Sequence, residues 1–142
     1  LELKGNEKIL EVGTGSGYQT AILSKLANRV YTIERHEVLA SRAKKILQEI
    51  GCNNVDVVVG DGSIGLPDRA LFDGIIITAC APYIPKSLQD QLVIKGRLVI
   101  PIGNPYNQTL YRVVKTEKGI ESHSVLECAF VPLVGKEGWK ME

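Results

Sequence analysis

Short apolar runs alternate with amphipathic segments along most of the chain. The runs are rich in β-branched residues and end at glycines or charged residues, which is typical of strands in a buried parallel sheet. The segments between them repeat apolar residues at helical spacing, and Gly51 stands where a glycine commonly ends a helix. Strands are therefore predicted at residues 8–12, 30–33, 55–59, 72–78 and 97–102.

Three helices are predicted between these strands. The first two run from Tyr18 to Leu26 and from Leu39 to Ile50, each with one apolar face. Pro85 can open a third helix, which carries apolar residues as far as Val93 and ends at Lys95-Gly96.

The pattern changes after the fifth predicted strand. Residues 109–116 and 120–133 are both β-like, and Glu117-Lys118-Gly119 fits the turn between them. Strand–helix units followed by a hairpin predict an α/β fold, with a doubly wound, mostly parallel sheet and a C-terminal antiparallel hairpin. We expect residues 1–142 to form a single domain.

The composition narrows the class of protein. Of 142 residues, 44% are hydrophobic and 23% charged, as in ordinary globular domains. The formal net charge of +1 gives no electrostatic footprint for nucleic acid, and no apolar run approaches the roughly 18 residues of a membrane span. The three cysteines lack CxxC spacing. We therefore expect a cytoplasmic protein without a metal, and we expect it to be a monomer that contacts neither nucleic acid nor membrane.

A glycine-rich turn, Glu11-Val12-Gly13-Thr14-Gly15-Ser16-Gly17-Tyr18, follows the first predicted strand. Glycines let the main chain turn tightly and approach a ligand, and the next helix begins with free N–H groups. A dinucleotide fingerprint, G-x-G-x-x-G, would need glycine at position 18, where tyrosine stands. The G-x-G-x-G spacing instead indicates a loop for a sulfonium amino acid, with a simple packing turn as the alternative.

Acidic residues follow the next two strands. Glu34 ends the second, where a carboxylate can accept hydrogen bonds from ribose hydroxyls. Asp61 follows the third, where it can accept from the exocyclic amine of adenine, and Gly62 leaves room for the base. The alternative for Glu34 alone is a solvated charge at a strand end, and the alternative for Asp61-Gly62 alone is a simple turn. Together with the glycine loop, they indicate one cofactor that contains a nucleoside.

These motifs resemble those of class I S-adenosylmethionine-dependent methyltransferases, and longer stretches between residues 9 and 103 resemble the protein-L-isoaspartate O-methyltransferase family within that group. The run FVPLVGKEGW at 130–139 is similar to the family's C-terminal motif. ACAP at 79–82 and FVPL at 130–133 are more specific than the glycine loop. The resemblance implies a Rossmann-like methyltransferase fold, with S-adenosyl-L-methionine as cofactor and S-adenosyl-L-homocysteine as product.

The resemblance also implies the reaction, which is methyl transfer to the free carboxylate of L-isoaspartyl residues in damaged proteins or peptides. The ester then collapses to a succinimide, which hydrolyses partly to aspartate. A carboxylate with a pKa of about 4 is already a nucleophile at neutral pH, so alignment and exclusion of water matter more than a general base. His36 and His123 share no motif, which fits a site without a catalytic histidine or a metal.

Site residues are assigned by the resemblance, position by position. Gly13, Gly15 and Gly17 are assigned to the methionine moiety of the cofactor. Glu34 is assigned to the ribose, and Asp61 and Gly62 to the adenine. The substrate contacts, for which core packing and a strand bend are the alternative, are Ala79, Ala81, Pro82, Val131 and Pro132. The family's Thr/Ser-containing motif upstream of the glycine loop is not in this sequence, so no catalytic residue is assigned.

Three alternatives stay open. A nucleic-acid N-methyltransferase acting on RNA, for example, would carry an Asp/Asn-Pro-Pro-aromatic motif where this chain has Thr78-Ala79-Cys80-Ala81-Pro82. A cytosine methyltransferase would place a nucleophilic cysteine there, but a cysteine also behaves as a small hydrophobe, and packing is the preferred interpretation of Cys80. The third is a cofactor-binding domain that is catalytically incomplete. Because the upstream motif is missing, we expect these residues to bind cofactor and to transfer methyl groups poorly until an upstream segment is restored.

Overall fold

The computed structural model describes residues 1–140 and contains strands, α-helices and two short 3₁₀ turns. The strands are β1 (Lys8–Val12), β2 (Arg29–Glu34), β3 (Val55–Val59), β4 (Phe72–Ile77), β5 (Leu92–Gly103), β6 (Gln108–Thr116) and β7 (Gly119–Cys128). The α-helices are α1 (Tyr18–Leu26), α2 (Glu37–Glu49) and α3 (Lys86–Asp90), and the 3₁₀ turns are Gly62–Ile64 and Pro67–Arg69.

The strands form one sheet of seven in the order β3-β2-β1-β4-β5-β6-β7. β1 to β5 are parallel, whereas β6 is antiparallel to β5 and β7 is antiparallel to β6. The predicted doubly wound sheet with a C-terminal antiparallel hairpin is therefore confirmed. The strand order reverses between β1 and β4, and at such a switch point the loops leaving the strands diverge and open a crevice.

The third helix is shorter than predicted. α3 ends at Asp90, and Leu92 already pairs with Phe72 in β4. The register then shifts before Arg97 pairs with β4 again, so residues 93–96 form an irregular start to β5. Two β-branched or apolar residues at 93–94 favour a strand, and Lys95 has a φ of 71°, which no helix accommodates.

The second strand of the hairpin is also shorter than predicted, because β7 ends at Cys128. Residues 131–139 then cross to the carboxyl end of β4, where Pro132 forms a bridge with Cys80. Proline lacks the N–H that continues a strand ladder, which limits the strand at this end. We call residues 131–139 the strap.

Two apolar clusters hold the elements on the sheet. The larger one joins β1, β4, β5 and β6 to Leu88 of α3 and Leu133 of the strap. The smaller one packs Leu23 and Ala27, at the end of α1, on Ile9 and Val30 of the first two strands. Among the residues that the structure describes, no helix is long and apolar enough to cross a membrane.

Candidate functional site

A cleft of about 440 Å³ opens at the carboxyl ends of β1, β2 and β4. One side is formed by the glycine loop after β1 and by residues 34–36 after β2. The lining also includes Thr78 and Ala79 after β4, the strap residues Val131 to Val134, Leu39 of α2 and Gly62 after β3. The cleft thus occupies the switch point of the sheet, where open α/β folds bind ligands.

Two positions of the glycine loop in the cleft require glycine. Gly13 has a φ of 98° and Gly15 a φ of 55°, values that glycine adopts without a Cβ penalty. At Gly13 a Cβ would also collide with Oγ1 of Thr78. The N–H of Gly13 donates to the carbonyl of Ile33 at 2.9 Å. The loop is therefore hydrogen-bonded to β2, and at Gly13 and Gly15 it presents main-chain atoms without side chains to the cleft.

Gly17, the third glycine of the loop, lies away from the cleft. It precedes α1 with a φ of 88°, and a Cβ there would lie 3.4 Å from Cβ of Ala43 and 3.6 Å from Cγ of Leu47. A Cβ would fit at ordinary contact distance, so it is the left-handed backbone that favours glycine at this position. Its predicted contact with a methionine moiety stays a prediction.

Glu34 connects the end of β2 to the glycine loop. Its Oε1 accepts a hydrogen bond from the N–H of Gly15 at 2.9 Å, and its Oε2 accepts one from the N–H of His36 at 3.0 Å. The residue is only 7% exposed, and its exposed part lines the cleft. Each carboxylate oxygen can accept two hydrogen bonds. One acceptor position on each oxygen therefore remains for a ligand, an arrangement that suits two neighbouring hydroxyls.

Glu11 lies fully buried beneath the glycine loop. Its Oε1 accepts hydrogen bonds from the hydroxyls of Thr20 and Thr32, and its Oε2 accepts one from Nε2 of Gln19 at 2.8 Å. Oγ1 of Thr32 also lies 2.6 Å from Oγ1 of Thr14 in the loop. Glu11 was assigned no role from sequence, although an acid inside an apolar strand must find partners once it is buried.

Burial raises the pKa of the Glu11 carboxyl. The hydrogen bonds from its three partners oppose this rise, and the negative charge of Glu34 adds to it. The Glu11 carboxyl therefore supports the glycine loop from below, and its contribution to the free energy of unfolding depends on pH.

Asp61 lies behind Gly62, which lines the cleft. Its Oδ1 accepts from the N–H and the hydroxyl of Ser63, at 2.9 and 2.7 Å, and its Oδ2 accepts from the N–H of Lys136 at 2.8 Å. Burial acts to raise the pKa of Asp61, but these hydrogen bonds and the charge of Lys140 outweigh it and lower the pKa below the usual 3.8. Only Oδ2 keeps an acceptor position, so the predicted adenine contact would have to use that atom.

Thr78 stands at the end of β4, beside the glycine loop. Its N–H donates to the carbonyl of Val12 at 3.0 Å, and its hydroxyl lies 3.0 and 2.9 Å from the carbonyl oxygens of Val12 and Gly13. Thr78 thus fixes the first turn of the loop against β4. A role for Thr78 in the site could have been predicted from sequence, because ligands in open α/β sheets bind at the carboxyl ends of the strands next to the switch point.

The residues predicted to contact substrate divide into two groups. Ala79, Val131 and Pro132 line the cleft. Ala81 is fully buried and pairs with the end of β5, where it donates to the carbonyl of Pro101 at 3.0 Å. The structure thus brings the first group to the cleft, whereas Ala81 and Pro82 do not line it.

Cys80 holds the strap through its main chain. Its N–H donates to the carbonyl of Val131 at 2.7 Å, and its carbonyl accepts from the N–H of Leu133 at 2.8 Å. The residue is 1% exposed, and burial raises the pKa of its thiol. A nucleophilic cysteine needs an accessible thiolate, so this environment favours packing over nucleophilic attack.

Known proteins resemble the chain over almost its whole length. The family model described as protein-L-isoaspartate(D-aspartate) O-methyltransferase (PCMT) matches residues 1–138. A protein-L-isoaspartate O-methyltransferase from Syntrophotalea carbinolica is 52% identical over 143 residues, a match that covers 99% of this chain and 65% of the relative. The chain thus spans slightly less than two thirds of that relative's length.

Solved structures agree with the sequence match. One protein-L-isoaspartate O-methyltransferase superposes with a TM-score of 0.89 at 27% identity, over 96% of this chain and 44% of its own. A Plasmodium falciparum protein described as an enzyme of the same kind, in complex with S-adenosyl-L-homocysteine, superposes with a TM-score of 0.75 at 25% identity, over 92% of this chain and 67% of its own. The chain belongs to the protein-L-isoaspartate(D-aspartate) O-methyltransferase family.

Proposed function

We propose that the protein transfers the methyl group of S-adenosyl-L-methionine to the free carboxylate of L-isoaspartyl residues in damaged proteins or peptides. The observation that carries this proposal is the placement of Gly13, Gly15 and Glu34 around one cleft, in a chain whose family is named for the reaction. We further propose that residues 1–142 act as a single domain, in a monomeric protein of the cytoplasm that contacts neither nucleic acid nor membrane.

The cleft suits a nucleoside cofactor of this size and chemistry. Its volume of about 440 Å³ lies within the range of roughly 300–1,000 Å³ for small-molecule sites. Gly13 and Gly15 offer bare main chain to the methionine moiety, and the two remaining acceptor positions of Glu34 suit the ribose hydroxyls. We propose that the adenine lies against Gly62, with Asp61 behind it. The cofactor, when bound, supplies a methyl group activated by a sulfonium.

The acceptor supplies its own nucleophile in this reaction. A carboxylate of pKa about 4 is ionised at neutral pH, so the chain needs to align it with the methyl carbon and to keep water out. Ala79 and the strap residues Val131 and Pro132 give the cleft an apolar wall suited to excluding water.

Selectivity for the isoaspartyl linkage needs more than this apolar wall. A hydrophobic pocket discriminates one methylene by only about 1–3 kcal/mol, whereas positioned hydrogen-bond donors discriminate more strongly. We infer that donors for the substrate carboxylate come from the part of the relatives that this chain does not match. Residues 1–142 would then hold the cofactor and one wall of the substrate site.

The proposal is tested with residues 1–142 joined to the upstream part of the Syntrophotalea carbinolica relative. This chain is incubated with labelled S-adenosyl-L-methionine and either an isoaspartyl peptide or RNA, followed by mild base. A carboxylate methyl ester releases its label as methanol in base, whereas an N-methyl group keeps it. We expect base-labile label on the peptide. Base-stable label, or label on RNA instead of the peptide, would contradict the proposed acceptor.

A further inference from the structure

The strap is attached to the body of the protein at more than one place. Near the cleft it is held by the main chain of Cys80, as described above. Beyond Leu133 it folds into a tight turn in which the N–H of Trp139 donates to the carbonyl of Leu133 at 2.7 Å. The indole N–H of Trp139 donates to the carbonyl of Cys80 at 3.0 Å. This turn determines where the cleft-lining part of the strap can lie.

Two polar side chains from the loop after β3 hold this turn. Oδ2 of Asp61 accepts a hydrogen bond from the N–H of Lys136 at 2.8 Å, and Oγ of Ser63 accepts one from the N–H of Glu137 at 3.0 Å. The Ser63 hydroxyl in turn donates to Oδ1 of Asp61 at 2.7 Å. Ser63 is completely buried. We call Asp61 and Ser63 the clasp.

The fit of the strap against the clasp is close. A Cβ at Gly135 would overlap Oδ1 of Asp61 and Oγ of Ser63. On its other side, the carboxylate of Glu137 accepts hydrogen bonds from the N–H and the hydroxyl of Ser87, at the start of α3. The turn is therefore fixed between the loop after β3 and α3, and it cannot shift without breaking several hydrogen bonds.

We propose that Asp61 and Ser63 are positioning residues for the substrate wall of the cleft, acting through the strap. This inference rests on the proposed function, in which Val131 and Pro132 of the strap contact the substrate. The clasp residues flank Gly62, which lines the cofactor side of the cleft. One short loop thereby sets the position of the substrate wall relative to the cofactor.

The test compares Ser63→Ala, which removes a clasp hydroxyl, with Gly135→Ala, whose added Cβ overlaps the clasp atoms and pushes the strap away from them while both clasp residues keep their side chains. Ser24→Ala is the matched control, because the Ser24 hydroxyl makes a bond of similar length, 2.6 Å to Oδ1 of Asn54, at a site outside the cleft lining. Trp139 is the only tryptophan in the chain and sits in the strap, so its fluorescence reports strap position. Fluorescence and the dissociation constant of S-adenosyl-L-homocysteine are measured on residues 1–142, and the kcat and KM for an isoaspartyl peptide on the same residues joined to the upstream part of the Syntrophotalea carbinolica relative.

We expect both strap variants to shift Trp139 emission and to raise KM for the peptide by roughly three- to tenfold, the range for loss of one hydrogen bond. Their affinity for S-adenosyl-L-homocysteine should change less than about twofold, and the control should match the parent in every measurement. If Trp139 emission and KM were unchanged in both variants, the proposed positioning role of the clasp would be wrong. It would also be wrong if affinity for S-adenosyl-L-homocysteine fell by as much as KM for the peptide rose. A parent protein that binds no S-adenosyl-L-homocysteine would instead overturn the proposed function.

Discussion

The carboxylate of Glu34 and the main-chain N–H of Gly15 are joined by a hydrogen bond of 2.9 Å, which ties the end of β2 to the glycine loop after β1. A second hydrogen bond, from the N–H of His36, fixes the other carboxylate oxygen. Both oxygens are thus oriented before a ligand arrives, and an oriented acceptor loses little further entropy on binding. The proposed ribose contact depends on this arrangement.

Replacement of Glu34 by alanine should therefore weaken binding of S-adenosyl-L-homocysteine. The expected loss is roughly 1–3 kcal/mol, the range for hydrogen bonds to a charged group, measured by titration calorimetry. Glu37→Ala is the control, because Glu37 is an exposed acid in the first turn of α2 and does not line the cleft. Equal affinities of the parent and Glu34→Ala would remove Glu34 from the site.

Alanine at Gly13 should cost both stability and cofactor affinity, because its Cβ meets Oγ1 of Thr78 and its φ is 98°. Gly51→Ala isolates the cost of the backbone conformation alone, since Gly51 has a φ of 82° and no atom lies within 4 Å of an added Cβ. We expect Gly51→Ala to lower the free energy of unfolding by about 1–2 kcal/mol, the cost of left-handed backbone in a non-glycine residue, with cofactor affinity unchanged. Stability is measured by scanning calorimetry and cofactor affinity by titration calorimetry. If the two variants lost equal stability and both kept the cofactor affinity of the parent, the predicted contact between Gly13 and the cofactor would be wrong.

The buried Glu11 carboxyl predicts a pH dependence of stability. Its pKa is raised in the folded protein from an ordinary value of 4.5, so above about that pH the folded state keeps a proton that the unfolded chain has released. The free energy of unfolding should therefore fall as pH rises from 4.5 through the raised pKa. Glutamine cannot ionise, so Glu11→Gln should lack this decline in urea titrations across pH. Parallel profiles for the parent and the variant would contradict it.

Cys80→Ala distinguishes packing from nucleophilic catalysis. Because the Cys80 thiol is buried and its main chain holds the strap, the variant should methylate an isoaspartyl peptide as fast as its parent when both are joined to the upstream part of the Syntrophotalea carbinolica relative. It should lose about 1 kcal/mol of stability, as is common for a single substitution. Loss of activity, together with a covalent adduct between the parent and nucleic acid containing 5-fluorocytosine, would show that Cys80 is a nucleophile.

Local patterns were sufficient to predict the sheet and the elements around the cleft. The strand ends at Val12 and Glu34 could be placed from apolar runs, because each run is short and clearly bounded. The boundary between α3 and β5 was misplaced, since the apolar residues at 92–94 suit a helix face as well as a strand. The partner of Asp61 could not be predicted, because the N–H of Lys136 is 75 residues away along the chain and main-chain donors carry no sequence signal.

The account is tested most directly by methyl transfer to two peptides of identical sequence, one with an isoaspartyl and one with an aspartyl linkage. Labelled S-adenosyl-L-methionine is supplied to residues 1–142 and to the same residues joined to the upstream part of the Syntrophotalea carbinolica relative. We predict little transfer by residues 1–142, and transfer to the isoaspartyl peptide alone by the longer chain. Equal labelling of the two peptides, or no labelling by the longer chain, would contradict the proposed function. Full-rate selective transfer by residues 1–142 would instead contradict the need for an upstream segment, and would show that the loops of residues 1–142 hold the substrate.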